Sequence, residues 1–289
     1  MQTSIHRDKI VALVICIICC LAASRSTAQP VEAQYHTEAP PEQLPEADET
    51  MLNLSAGGTM STGNTRSWQI NTGGDFRLVR GVHAVSAMYN FIYGRADLPD
   101  DNVDRYQATA RNFNGRLRYD HYLTPMDALF VAVVYRWDTF AGLDTRVQTQ
   151  AGYMRNFILE EAMRVWGELG YDVTYDNYTD EVLRNVPTAY EEEVVHSARG
   201  FVGYDNHIHE TLTFITGLEA LVNVQLPKDT RINWDSALRS KLNGYLQVEM
   251  KFSLKYDHVP VPGTKNLDTL TQLNLIGTLW ADGVEPATP

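Results

Sequence analysis

The stretch 245-YLQVEMKFSLKYD-257 decides the fold class. Its even positions are Leu246, Val248, Met250, Phe252, Leu254 and Tyr256, an unbroken apolar face. Its odd positions are Tyr245, Gln247, Glu249, Lys251, Ser253, Lys255 and Asp257, nearly all polar. Strict alternation means an extended strand with two chemically different faces. Strands of soluble sandwiches are usually shorter, about five or six residues. A strand that crosses a bilayer at a tilt needs about 9–11. The length of this run therefore predicts a membrane strand, apolar toward lipid and polar toward a lumen.

The same alternation recurs along the chain. In 163-MRVWGELGYDVTYD-176, Val165, Leu169, Tyr171, Val173 and Tyr175 oppose Arg164, Glu168, Asp172 and Asp176. In 231-RINWDSALRSKL-242, Ile232, Trp234, Leu238 and Leu242 oppose Arg231, Asp235, Arg239 and Lys241. In 211-TLTFITGLEALVNVQL-226, Leu212, Phe214, Leu218 and Val222 oppose Thr211, Thr213, Glu219 and Asn223. Less regular runs lie near 51–60, 66–79, 82–94, 105–122, 127–138, 144–158, 191–206 and 268–280. Together they predict an all-β fold, a transmembrane antiparallel β-barrel of about twelve strands. An even number suits single-chain outer-membrane barrels. The connections alternate in length as well. Short ones (80–81, 124–127, 159–162, 207–210, 243–244) interleave with longer ones (95–104, 139–144, 177–190, 227–230, 258–267). Short periplasmic turns and longer outer loops produce this rhythm. Closure is required because unpaired backbone groups are costly in lipid. Tyr89, Phe91, Tyr93, Tyr119, Tyr122, Tyr153, Tyr171, Tyr175 and Trp280 are expected in interfacial aromatic girdles.

The ends of the chain have a different composition. Residues 1–28 carry Arg7 and Lys9, an apolar run from Ile10 to Ala23, and the small-residue pattern Ser26-Thr27-Ala28. This is the grammar of a cleaved signal peptide. A membrane anchor and a lipoprotein are the alternatives. The run is short for a spanning helix, and no small residue precedes Cys16, Cys19 or Cys20 as a lipobox requires. Cleavage after Ala28 removes all three cysteines, so the mature chain has no disulfide framework. It also removes Arg7, Lys9, Arg25 and Asp8, which takes the net charge from −12 to −14. So acidic an exported chain is a poor nucleic-acid binder. Residues 29–50, rich in Pro and Glu, read as a disordered acidic periplasmic linker. The barrel is assigned to 51–280 and a trailing tail to 281–289.

Three segments, 54-LSAGGTMSTGNTRS-67, 73-GGDFRLVRGVHAVSA-87 and 254-LKYDHVPVPGTKNLDTLTQLNLIGTLW-280, carry a family resemblance. They resemble the salt-induced, YdiY-like outer-membrane proteins, a family largely of unknown function (domain of unknown function 481). The resemblance spans about 51–280 and implies an outer-membrane barrel. It supplies no catalytic residue. Such barrels commonly end on an aromatic residue read by the assembly machinery, and here Trp280 is followed by nine more residues.

No constellation for catalysis emerges. A lipase would need Ser and His together on the lipid face near the outer leaflet. His196 has lipid-facing parity, but Ser197 points the opposite way and the neighbouring strand offers Val222, Val224 and Leu226. His207, His209 and Glu210 have metal-compatible spacing, yet a polar turn explains them as well. No enzyme activity, cofactor or metal is expected. The segment 61-STGNT-65 reads as a tight outer turn with Gly63 at its centre.

The predicted lumen carries the chemistry. Its charges include Arg136, Arg164, Arg231, Arg239, Lys251 and Lys255, balanced by Glu168, Asp172, Glu219, Asp235 and Glu249. Two readings follow: salt-bridge ladders that fill and brace the interior of an envelope-stress (salt-response) structural protein, or a lined narrow channel for ions or small solutes. Asp97, Asp100, Asp101 and Asp104 in one outer loop, and Asp180, Glu181 and residues 191–193 around another, predict an acidic rim. A soluble secreted β-sandwich that binds a ligand is the competing class, and an outer-membrane hydrolase the third. Expected partners are outer-membrane lipid, lipopolysaccharide and the barrel-assembly machinery, with the barrel a monomer.

Overall fold

A computed structural model describes residues 48–61, 66–97, 106–160, 162–185, 192–260 and 265–282. The alternating runs form twelve strands: β1 (Glu49–Ser61), β2 (Ser67–Arg80), β3 (His83–Asp97), β4 (Tyr106–Tyr122), β5 (Asp127–Asp138), β6 (Leu143–Leu159), β7 (Met163–Tyr178), β8 (Glu192–His209), β9 (Leu212–Asn223), β10 (Thr230–Lys241), β11 (Leu246–Asp257) and β12 (Leu267–Asp282). Each pairs antiparallel with its sequence neighbours, and β1 pairs with β12 to close the barrel. The soluble-sandwich alternative is thereby excluded.

Burial is inverted relative to a soluble protein. Leu169 is 72% exposed and Leu117, Val131, Val202 and Leu218 are also exposed, while Arg164, Asp172, Asp176 and Glu219 are buried. On most described strands the more apolar face points outward and the more polar face inward; β5 is apolar on both, with Ala128, Phe130, Ala132 and Val134 buried. This is a transmembrane β-barrel, because only lipid makes such an exterior favourable. Aromatic residues form two outward bands. Near one end Trp68 lies against Tyr93, Phe113 against Trp137 and Trp234 against Phe252; near the other, His83 stacks on Tyr119 and Tyr204 packs on Phe214.

The long-loop end carries the connection 179–191, which holds one short helix, α1 (Asp180–Asn185). That helix replaces the irregular loop expected there. Gly142, in the left-handed region at φ 73°, ends a 3-10 turn over Thr139–Ala141. The strands run past the expected limits at both termini, starting at Glu49 and ending at Asp282. The expectations for the signal peptide, residues 29–47 of the linker, the turn at 62–65, Asp100, Asp101, Asp104, Glu191 and the tail at 283–289 lie outside the described residues.

Candidate functional site

Strand parity delivers charged side chains to the lumen in register. Glu168 on β7 sits at the centre. It accepts hydrogen bonds from Arg118 Nη1 on β4 (2.7 Å) and Arg199 Nη1 on β8 (2.6 Å). Arg199 Nε donates to Glu219 on β9 (2.6 Å), and Asn233 Nδ2 on β10 donates to the other Glu219 oxygen (2.9 Å). Arg118 is held from its own strand by Asp120, at 2.6 to 2.9 Å. A continuous chain of charge-assisted hydrogen bonds thus crosses the interior from β4 to β10. Glu168 is 4% exposed, Arg199 3% and Glu219 0%. Charges so buried persist because each is paired and hydrogen-bonded; removing one partner of such a pair typically costs about 3–5 kcal/mol.

Aromatic rings reinforce this chain. The Arg118 guanidinium lies 4.2 Å from the Phe130 ring centre, and Arg199 lies 5.4 Å from Phe130 and 5.5 Å from Phe201. Phe130 therefore has a cation near it from each of two strands. Toward the short-turn end, Arg164 sits 4.5 Å over Trp166 and donates to Asn156 (2.8 Å). Val79, Ala84, Tyr122, Ala128, Phe130, Met154, Trp166 and Phe201 make an apolar cluster inside the barrel. Gly203 makes room for it, since a Cβ there would fall 2.2 Å from the Trp166 ring. Sequence reasoning counted lumen charges and missed this cluster, although Phe130, Trp166 and Phe201 all have inward parity. Tyr122 corrects one expectation. It belongs to the interior cluster and not to a girdle, because it lies one residue beyond the last outward position that Tyr119 and His121 define.

The remaining predicted lumen residues fall into groups. On the opposite wall Arg239 donates to Glu249 (2.7 Å), and Asn274 Nδ2 donates to the same carboxylate (3.0 Å). Asn274 in turn accepts from Asn71 (2.6 Å) across β1, where Gly57 leaves the space. Ser253 donates to Asp235, and Lys251 is fully buried beside them. Nearer the long loops, Arg146 binds Asp176 through two hydrogen bonds, and Arg231 bridges Asp176 and Asp257. Asp172 accepts from Gln150 and Thr174, and Arg136 donates to Asp138. Lys255 lines the mouth. Two cavities flank the central chain. One, of about 60 Å³, includes Asp75, Arg77, Arg116, Tyr122 and Trp166. The other, of about 80 Å³ at the long-loop mouth, includes Arg136, Arg146, Arg231, Lys255 and Asp268. They share no lining residue.

The histidines hold no catalytic arrangement among the described residues. His196 faces outward and packs on Tyr171, while Ser197 is buried on the other face of β8. His209 accepts from Thr211 N in the adjoining turn (3.4 Å). No cluster of potential metal ligands occurs among the described residues.

Comparison with known proteins now bears on this barrel. The uncharacterized protein YdiY of Escherichia coli (strain K12) is 26% identical over 224 residues, which cover 77% of this chain and 81% of that one. Among solved structures, the NanC porin superposes with a TM-score of 0.47 at 9% identity, over 80% of this chain and all of that one. The translocator domain of the autotransporter NalP from Neisseria meningitidis gives a TM-score of 0.40 at 11% identity, covering 96% and 98%. The family model described as a protein of unknown function, DUF481, matches residues 54–278, and the chain belongs to that family.

Proposed function

We propose that this is an outer-membrane barrel that closes its own lumen with side chains, a structural element of the envelope and not an open pore or an enzyme. The observation that carries this reading is the buried chain from Asp120 through Glu168, Arg199 and Glu219 to Asn233. It crosses the interior between two cavities with no lining residue in common. In this reading the short turns face the periplasm and the long loops the outside, as is usual for such barrels. The signal peptide, the periplasmic linker, insertion by the barrel-assembly machinery, contact with lipopolysaccharide and a monomeric state belong to the same proposal. A role in salt stress fits the physics of the brace. Exposed charges are screened within about 10 Å at 0.1 M salt, whereas buried pairs are screened much less. The closure therefore survives high ionic strength.

A narrow channel is the second reading, favoured by the charged cavity at each end of the chain. In it the Glu168 and Arg199 pair acts as the constriction. Planar-bilayer recording separates the two. The purified wild-type barrel is expected to give no conductance steps from low to molar salt, and Arg199→Ala to give steps. Steps from the wild type sink the closed reading. A silent Arg199→Ala variant, shown to be folded by its heat-dependent gel shift, removes the brace as the cause of closure.

A further inference from the structure

The barrel seam is hydrogen-bonded over only part of its length. β1 pairs with β12 from Thr50 opposite Asp282 to Gly57 opposite Asn274. Both strands then continue: β1 to Ser61 and β12 up to Leu267. Continuing the register would set Gly58 opposite Leu273, Thr59 opposite Gln272 and Met60 opposite Thr271. None of these three forms a register pair, although the Leu273 carbonyl still lies against Gly57 and β1 stays paired to β2 and β12 to β11 throughout. Elsewhere, where one strand outruns its neighbour at the long-loop end, the shorter strand has ended. Among the described residues, only here do both strands continue past their last register pair at that end.

The depth of the gap is set by the aromatic bands. Met60 pairs with Trp68, which lies against Tyr93. On the other flank Thr269 pairs with Leu254 and Thr271 with Phe252, beside Trp234. Such rings mark the membrane interface, so the gap opens at the head-group level of the leaflet on the long-loop side. Its lips are apolar outside and polar inside. Met60, 79% exposed, and Leu273 face lipid. Gln272 faces the lumen, is 6% exposed, and neither end of its amide has a hydrogen-bond partner among the described residues. Unpaired backbone at membrane depth is tolerated where it lines a polar cavity or is buried in protein. Behind this gap lie Ser55, Arg239, Glu249, Lys251 and Asn274 in one cavity with Gln272.

We propose that the unpaired upper end of the β1–β12 seam is a lateral portal for a lipid of that leaflet. The polar linkage region of the lipid enters between the strands and hydrogen-bonds the free backbone edges and the Gln272 amide. Its chains stay against Met60 and Leu273. The assignment rests on the transmembrane barrel but not on whether the central brace closes the lumen.

Two measurements on the full barrel in phosphatidylethanolamine vesicles test it. In hydrogen exchange, amides of residues 59–60 and 268–273 that do not point to β2 or β11 should exchange far faster than those of the fully paired β6–β7 seam. Protection equal to that of the fully paired β6–β7 seam overturns the proposal. In the second, a phospholipid with a photoreactive head group is added to the vesicles. Adducts are expected at Thr59 and Gln272, and not at Gln148 or Thr174 inside the β6–β7 seam. Clipping the seam with Met60→Cys and Thr271→Cys, which leaves Thr59 and Gln272 in place, should abolish them, and reduction restore them. Adducts absent from the wild type, or unchanged by the clip, overturn it. The exchange measurement stands on the wild type alone if the clipped variant does not fold, and bilayer recording tests the brace independently.

Discussion

Two seams of this barrel are built differently. β6 and β7 pair from Leu143 opposite Tyr178 to Leu159 opposite Arg164, with two small register shifts. Behind them the lumen is cross-tied by Arg146 to Asp176, Gln150 to Asp172 and Arg164 to Asn156. β1 and β12 pair over their lower part only, with Gly57 in the wall and Asn71 bonded to Asn274 across it. One seam joins strands that a short turn already holds together. The other joins the two ends of the sheet and has no turn to bring them into register. The β6–β7 seam thus has turn, ladder and side-chain ties together, whereas the β1–β12 seam has ladder and side-chain ties without a turn.

The sharpest way to break this contrast is to remove the shared carboxylate. Glu168→Ala leaves Arg118 and Arg199 each short of a buried partner, and a loss of about 3–5 kcal/mol is expected. Unfolding in urea monitored by gel shift measures it. A loss under about 1 kcal/mol would mean that water replaces the carboxylate at little cost. Next in size is a charge on the lipid face. Leu169→Arg, one residue away but outward and near mid-barrel, should cost about 2–4 kcal/mol. Met60→Arg at the open seam should cost about 0–1 kcal/mol, because it lies at the interface beside Trp68. Equal costs in a vesicle-folding titration would remove the depth assignment of the seam. Between these two arginine variants falls Asn274→Ala, at about 1–2 kcal/mol for its two bonds, read as earlier loss of the folded band. A loss as large as that of Glu168→Ala would make the seam wall as braced as its opposite.

The barrel was legible in the sequence because period-2 alternation is a local property. Residues 245–257 alone give one lipid face and one lumen face, and β11 follows them closely. The same parity predicts that the charges from Arg136 to Lys255 face a lumen, and Arg164, Glu168, Asp172 and Glu219 among them are buried. Their partners were not legible. Arg118 meets Glu168 across two intervening strands, which depends on barrel curvature and strand stagger. Trp166 and Phe130 were hidden among charges on the polar face, where an apolar residue reads as noise until several converge. Tyr122 shows the cost of judging aromatics by closeness to a strand end and not by parity. The half-paired seam could not be read at all, since it is a relation between residues near opposite ends of the chain.

That relation also orders events in time. Every hairpin from β1–β2 to β11–β12 joins strands close in sequence, so each can form as soon as both of its strands exist. The β1–β12 contact closes a loop containing the whole sheet and carries the largest closure entropy. It must come last, and with Gly57 and Gly58 at its upper limit it has little side-chain surface to drive it. The same seam that finishes the wall is therefore the step at which a nascent barrel waits longest with two edges open, and at which an assembly catalyst has the most to contribute.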